Sequence, residues 1–250
     1  MSEDFKGLTA VVTGAGSGIG LAVARSLHNQ GARVFGLDLH EGEMSEFATW
    51  IPCDVGDSEK VKIAFQQIAQ ETDSIDILVN NAGIGAIGTI EDSTDEVWVR
   101  VLNINVIGIS RVSRAAMPFL RKSSSPSIVN TCSIAATVGL PSRAVYSASK
   151  GAVLSLTLAM AADGIKEKIR VNCVNPGTAD TPWIGRLLAK ADDPTAERER
   201  LQARQPIGRL VSADEVASAI LYLANPAQGS TTGTVLAVDG GMHGLRIPQY

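Results

Sequence analysis

Apolar runs rich in β-branched residues recur along the chain, alternating with segments whose apolar positions fall every three or four residues. The runs at 8–13, 33–37, 50–53, 75–79, 127–130, 170–174 and 234–238 predict seven strands. Their near-continuous apolar character, in place of strict alternation, suits strands buried on both faces of a parallel sheet. Val61, Ala64, Phe65 and Ile68 form a helical stripe, as do Val216, Ala219, Ile220 and Leu223, and residues 21–30 form a further helix. Strand-helix alternation of this kind implies right-handed crossovers and an α/β fold, a doubly wound parallel sheet with helices on both faces.

Two long helices are expected, at 96–120 and 144–166. Residues 151–162 carry no charge, so the second helix is apolar nearly all round. One side can cover the sheet; the other needs a cover from its own chain or from another subunit. The stretch 192–204 is charged, helical and interrupted by Pro194, and reads as part of a mobile flap over 183–210. The start, 1–6, reads as a polar tail, and the end, 242–250, as an apolar tail that docks on a neighbour or over the site.

With 250 residues the chain is long enough for one large domain, taken here as 1–250, and too short for two comfortable ones. A net charge of −4 with no basic block argues against nucleic acid or an anionic membrane as partner. No apolar leader precedes residue 7, and the charge-free run at 123–142 is broken by Ser, Pro and Gly, so no membrane span is expected. Cys53, Cys132 and Cys173 are odd in number and lack metal-ligand spacing. Buried reduced thiols in a cytoplasmic protein are the reading, with no metal site.

Thr13-Gly14-Ala15-Gly16-Ser17-Gly18-Ile19-Gly20 joins the first strand to the first helix. Glycines at such a turn let the backbone approach a pyrophosphate, whose charge the helix N-terminus favours. The spacing is G-x-x-x-G-x-G over Gly14, Gly18 and Gly20, with Ile19 where a G-x-G-x-x-G pattern would have its last glycine. Asp38 ends the second strand. A carboxylate there accepts both ribose hydroxyls of NAD and repels a 2′-phosphate, and neither the glycine loop nor Leu39-His40 offers a strong cation. The expected cofactor is NAD and the expected architecture a single-domain Rossmann fold.

Tyr146 and Lys150 stand four residues apart, so a phenol and an ammonium share one helix face. A free tyrosine, with a pKa near ~10, is a poor proton donor or acceptor at neutral pH, and an adjacent fixed cation favours its phenolate. Ser133, closing an apolar run, can place a hydroxyl beside the same substrate oxygen. Alone, the Tyr-Lys spacing fits a half-buried tyrosine with a snorkelling lysine; the phosphate loop and Asp38 favour chemistry.

In this order, the glycine loop, Asn80-Asn81-Ala82-Gly83, the Ser133, Tyr146 and Lys150 set, Asn175-Pro176-Gly177 and Val238-Asp239-Gly240-Gly241 resemble the short-chain dehydrogenase/reductase superfamily along nearly the whole chain. The resemblance implies an oxidoreductase interconverting a secondary alcohol and a ketone by hydride transfer. It implies that Gly14, Gly16, Ser17, Gly18 and Ile19 hold the pyrophosphate and that Asp54 and Val55 flank the adenine. Asn81, with Ala82 and Gly83, lies against the adenosine ribose. The resemblance also implies that Ala179, Asp180, Thr181, Pro182 and Trp183 contact the nicotinamide half, and that Pro176 and Gly177 bind the cofactor. The fourth catalytic residue is Asn105, in Ile104-Asn105-Val106-Ile107-Gly108 and preceded by Trp98; Asn103 falls on a different face. In the implied mechanism Tyr146 exchanges the proton with the substrate oxygen and Lys150 lowers the tyrosine pKa and binds the nicotinamide ribose. Ser133 hydrogen-bonds the substrate and Asn105 holds a relay water. A homo-oligomer, tetramer or dimer, is also implied.

Arginines point to the substrate. Arg143 precedes Tyr146 by three residues, Arg186 follows the nicotinamide segment and Arg204 ends the flap. Guanidiniums converging on a small space bind a carboxylate through paired hydrogen bonds, whereas Glu197-Arg198-Glu199-Arg200 reads as a solvated face. These positions and 176–182 resemble the family branch with the cytosolic type 2 hydroxybutyrate dehydrogenase and sugar-acid dehydrogenases, and a small hydroxy or keto acid is expected. Rival readings are an acyl-carrier-protein ketoreductase, a dehydrogenase of an apolar alcohol such as a steroid or cyclic diol walled by Trp183, and a non-catalytic NAD-sensing protein.

Overall fold

The computed structural model describes residues 4–189 and 191–246. In chain order the elements are β1 (Thr9–Thr13), α1 (Gly18–Asn29), β2 (Arg33–Asp38), β3 (Thr49–Pro52), α2 (Ser58–Glu71), β4 (Ile77–Asn80), α3 (Asp95–Leu102), α4 (Gly108–Leu120), β5 (Ser127–Thr131), α5 (Ala144–Gly164), β6 (Arg170–Pro176), β7 (Ala179–Asp180), α6 (Pro182–Leu188), α7 (Pro194–Ala203), β8 (Val211–Ser212), α8 (Ala213–Ala224) and β9 (Val235–Val238). Seven strands pair in parallel in the order β3-β2-β1-β4-β5-β6-β9, which is the doubly wound sheet expected. The strand order reverses between β1 and β4, and a crevice opens there beyond the carboxyl ends of the strands.

Residue alternation divides the core between the two faces. Val12 and Val34 pack with Leu27 of α1 and Ile220 of α8, while Val11 and Phe35 pack with Phe65 and Ile68 of α2 and Leu120 of α4. Each large aliphatic side chain so buried contributes about 1.5–3 kcal/mol. That is why the strands read as unbroken apolar runs.

Several expectations need correction. The strands begin or end up to two residues from the expected bounds, the last running from Val235 to Val238. Phe5 is buried and its N–H donates to Gln30 O at 3.1 Å, so it is not part of a loose polar tail; Met1, Ser2 and Glu3 lie outside the described residues. Of the terminal segment, 243–246 is exposed, so its described part does not cover the site; 247–250 lies outside the described residues. Pro194 does not interrupt a helix but starts α7, where its missing N–H costs nothing and Asp193 caps the Thr195 and Ala196 amides. The first long helix, 95–120, is continuous but passes through a π-helical turn at Asn103–Ile107. The short helix α6 and the two-residue pairing of β7 with β8 were not expected.

In α5, Val145, Ser149, Val153, Thr157 and Ala161 face inward, and the outer face leaves Leu158 exposed, followed by Ile165. Among the described residues this helix, Ala144–Glu167 with its final turn, is the one long and apolar enough to cross a membrane by length and composition. Its inward face instead packs against β6 and the π-helical turn.

Candidate active site

The turn after β1 depends on missing side chains. Gly14 has φ +66°, and a Cβ there would lie 2.9 Å from Ala82 Cα; at Gly20 it would meet Gly14 O at 2.1 Å. The loop can therefore lie flat against Asn81 and Ala82. Asn81 ties the two strand ends together, with Nδ2 donating to Thr13 O at 3.2 Å and its N–H to Thr13 Oγ1 at 2.9 Å. Ser17 caps α1 without a side-chain hydrogen bond, leaving the first-turn amides open to an anion. Asp38 accepts from Gly16 N–H at 2.9 Å through Oδ2 and from His40 N–H at 3.1 Å through Oδ1, so each oxygen keeps a lone pair. These residues fit a dinucleotide.

A cavity of about 390 Å³ runs from this turn toward α5 and α6, within the range of small-molecule sites. Among the expected cofactor residues Gly14, Ser17, Gly18, Ile19, Asp38, Asp54, Val55, Asn81, Ala82, Gly83, Pro176, Gly177, Ala179, Thr181, Pro182 and Trp183 line it. Gly16 does not line it, and acts through the hydrogen bond to Asp38. Asp180 does not either; it pairs with Arg198 on the surface. Sequence reasoning missed Leu37, Cys53, Ile84, Gly85, Leu140 and Leu201, apolar or small positions with no chemical signature of their own.

Ser133, Tyr146 and Lys150 line the same cavity. Lys150 is 5% exposed; its Nζ donates to Thr131 O at 2.9 Å and stands 5.8 Å from the centroid of the Tyr146 ring. Ser133 Oγ accepts from Ala135 N–H at 3.2 Å, which leaves the hydroxyl proton free to donate. Asn105 is buried beneath the cavity and does not line it. Its side chain binds Ile84 and Ser149, so both amide donors are committed to protein. Cys132, at the cavity wall, has its pKa lowered to about 7 by the neighbouring Cys173 and, less, by Lys150, while that partner and then burial push the Cys173 thiol up.

Arg143, Arg186 and Arg204 all line the cavity. Arg143 lies just before the helix of Tyr146: it is the N-cap of α5, held by the bridge between its backbone and Gly88. Burial lowers the pKa of Arg143, and the Arg204 guanidinium lowers it further; burial does the same to Arg204, followed by Arg200. Neither forms a salt bridge among the described residues. Gln205 fixes the base of the excursion: its Nε2 donates to Thr178 O at 3.2 Å and to Arg209 O at 2.8 Å, and its Oε1 fills the space a Cβ on Gly177 would need.

A family profile described as enoyl-(acyl carrier protein) reductase matches residues 14–243. The chain belongs to the short-chain dehydrogenase/reductase superfamily. It is 39% identical over 251 residues to a cis-4-hydroxycyclohexanecarboxylate dehydrogenase of Sinomonas cyclohexanicum, covering 96% of this chain and 98% of that protein. To the 2-(S)-hydroxypropyl-CoM dehydrogenase 3 of Xanthobacter autotrophicus it is 35% identical over 252 residues, covering 97% and 99%. The ligand-free aldohexose dehydrogenase of Thermoplasma acidophilum superposes with a TM-score of 0.92 at 33% identity over 100% of both chains. The protein is an oxidoreductase of this superfamily acting on secondary alcohols or ketones, with a nicotinamide cofactor.

Proposed function

We propose that the protein interconverts a small hydroxy acid and its keto acid with NAD. The observation that carries this reading is the pair Arg143 and Arg204, two partly buried guanidiniums facing one cavity that form no salt bridge among the described residues and share only the weaker, longer-range pull of Glu197. Like charges held together out of water are unfavourable until an anion joins them. A carboxylate on the substrate is such an anion, and Arg186 adds a third donor at the rim. A relative whose name includes a hydroxy carboxylate supports it.

NAD supplies the hydride acceptor when bound. Asp38 would hold its adenosine ribose through the free lone pairs, and the open first-turn amides of α1 its pyrophosphate. Tyr146 takes the proton from the substrate hydroxyl in oxidation and returns it in reduction. Lys150, fixed by Thr131, places a positive charge beside the phenol, where it stabilises the charge developing on that oxygen. Ser133 donates its free hydroxyl proton to the substrate oxygen. Asn105 holds the loop against which the site is built, and a water near it relays the proton outward.

The segment 183–210 acts as the substrate flap of a single domain. Exposed Val99, Ile107, Leu158 and Ile165 support burial of the α3–α5 side in a homodimer or tetramer. Three buried free thiols fit a cytoplasmic protein, and a net charge of −4 fits neither nucleic acid nor an anionic membrane as partner.

The test follows NADH formation with hydroxy acids against neutral alcohols of matched size. Acids should be preferred, and Arg143→Ala should raise their KM about 10–100-fold, as expected for a lost charge-assisted hydrogen bond of about 1.5–3 kcal/mol. A preference for neutral alcohols that Arg143→Ala leaves unchanged refutes the carboxylate reading.

A further inference from the structure

Trp183, in the first turn of α6, reaches across the cavity and lays its indole on Gly85. A Cβ at position 85 would lie 2.5 Å from Trp183 Cζ2, 2.9 Å from Cε2 and 3.1 Å from Nε1. Real Cβ atoms do not come that close, so one of the two partners would have to move. The Gly85 side is held. Ile84 is bound on both its N–H and C=O by Asn105, and Gly88 donates to Ser142 O at 3.0 Å and accepts from Ala144 N–H at 3.3 Å. The Trp183 side has more freedom: the residue is 37% exposed, and its helix is anchored farther along by Ile184 and Leu188 against Leu201 and Leu210. A side chain at position 85 would therefore displace the indole and leave the loop in place.

We propose that Trp183, seated on Gly85, roofs the substrate compartment, and that this pair of residues sets the largest alcohol the enzyme admits. The inference rests on the cavity being the active site, but not on the carboxylate reading. The indole is a large, stiff side chain, and the space it occupies is denied to the substrate. An unsubstituted glycine beneath it brings the roof as low as the backbone allows. Apolar Ile84 and Leu187, which line the same cavity, would then meet the substrate's carbon skeleton.

Trp183→Ala should raise the ratio of kcat/KM for a bulky alcohol to that for a small one by about tenfold or more, the scale on which a pocket discriminates by size. Gly85→Ala should move the same ratio in the same direction by unseating the ring. It should also increase acrylamide quenching of the Trp183 fluorescence, read as the difference from the Trp183→Phe protein in the matching background. In the double variant Gly85→Ala should add nothing to Trp183→Ala, since the clash has lost its partner. If Gly85→Ala alone is too unstable to assay, a double variant that folds supports the proposal and one equally unstable overturns it. Additive effects on the ratio, or a Gly85→Ala protein with unchanged quenching, overturn it as well. The quenching arm needs no turnover, so it decides the seating of Trp183 even if no hydroxy acid is oxidised.

Discussion

The Asn105 carboxamide and the Ile84 backbone bind one another in both directions. Oδ1 accepts from Ile84 N–H at 2.8 Å and Nδ2 donates to Ile84 C=O at 2.9 Å. The second Nδ2 proton goes to Ser149 Oγ at 3.1 Å, and Ser149 Oγ donates to Tyr146 O at 2.7 Å. The π-helical turn at Asn103–Ile107 brings Asn105 to this position, and one side chain thereby couples the cavity wall to the first turn of α5.

Asn105→Ala leaves the Ile84 N–H and C=O without their partner. A buried group so orphaned costs about 1–3 kcal/mol. Thermal unfolding should shift down by roughly 2–4 °C for each kcal/mol lost in a chain of this size. Turnover should fall with it, because the wall and Tyr146 lose their common anchor. Asn105→Asp keeps the acceptor for Ile84 N–H but sets a buried carboxylate oxygen against Ile84 C=O, and should lose at least as much at neutral pH. A melting temperature unchanged in both variants contradicts the structural role.

In the proposed reading Asp38 sets cofactor preference through charge. Asp38→Ser removes the carboxylate that repels a 2′-phosphate and frees the Gly16 and His40 amides. The ratio of kcat/KM for NAD over NADP should fall by about 100-fold, the equivalent of about 2.7 kcal/mol. Steady-state kinetics with both cofactors checks this, and a wild-type protein already preferring NADP would refute the assignment.

Glu215 couples stability to acid pH. Its carboxylate pairs with Arg209, and it completes a capping box with Ser212 at the start of α8. Hydrogen bonds from the Arg209 side chain and then the Ser212 backbone hold its pKa down at about 2. The stabilisation is therefore complete above the ordinary glutamate pKa of about 4.3 and is lost as pH falls toward 2. Glu215→Gln keeps a side chain that can complete the capping box but loses the charge facing Arg209, and should cost up to about 1 kcal/mol at neutral pH, since that ion pair is exposed and screened. The difference in unfolding free energy between variant and wild type should shrink below pH 4; a constant difference from pH 7 to pH 3 contradicts the sign.

The sheet was legible because its strands are buried on both faces. Val11 and Val12 serve opposite cores, so the run carries no polar interruption to confuse the pattern. Pro194 was misread because proline at the first position of a helix and proline within one look alike until Asp193 is seen to cap the turn. The helix α6 has seven residues, one of them Gly185, too few to show a period. Arg143 reaches the expected cavity, but through its bridge to Gly88, a contact between distant segments that no helical spacing encodes. The seating of Trp183 on Gly85 was hidden for the same reason. A glycine outside a turn gives no sign of what lies against it.

Tyr146 is the residue on which the proposed chemistry turns, and Tyr146→Phe removes its hydroxyl while keeping the ring beside Lys150. The decisive measurement pairs NADH formation under saturating alcohol with NADH binding by fluorescence in this variant. Turnover should drop at least about 100-fold, the lower range for loss of a general acid-base group, with NADH affinity within a few-fold of wild type. A variant that keeps substantial turnover would show that the proton passes through another group.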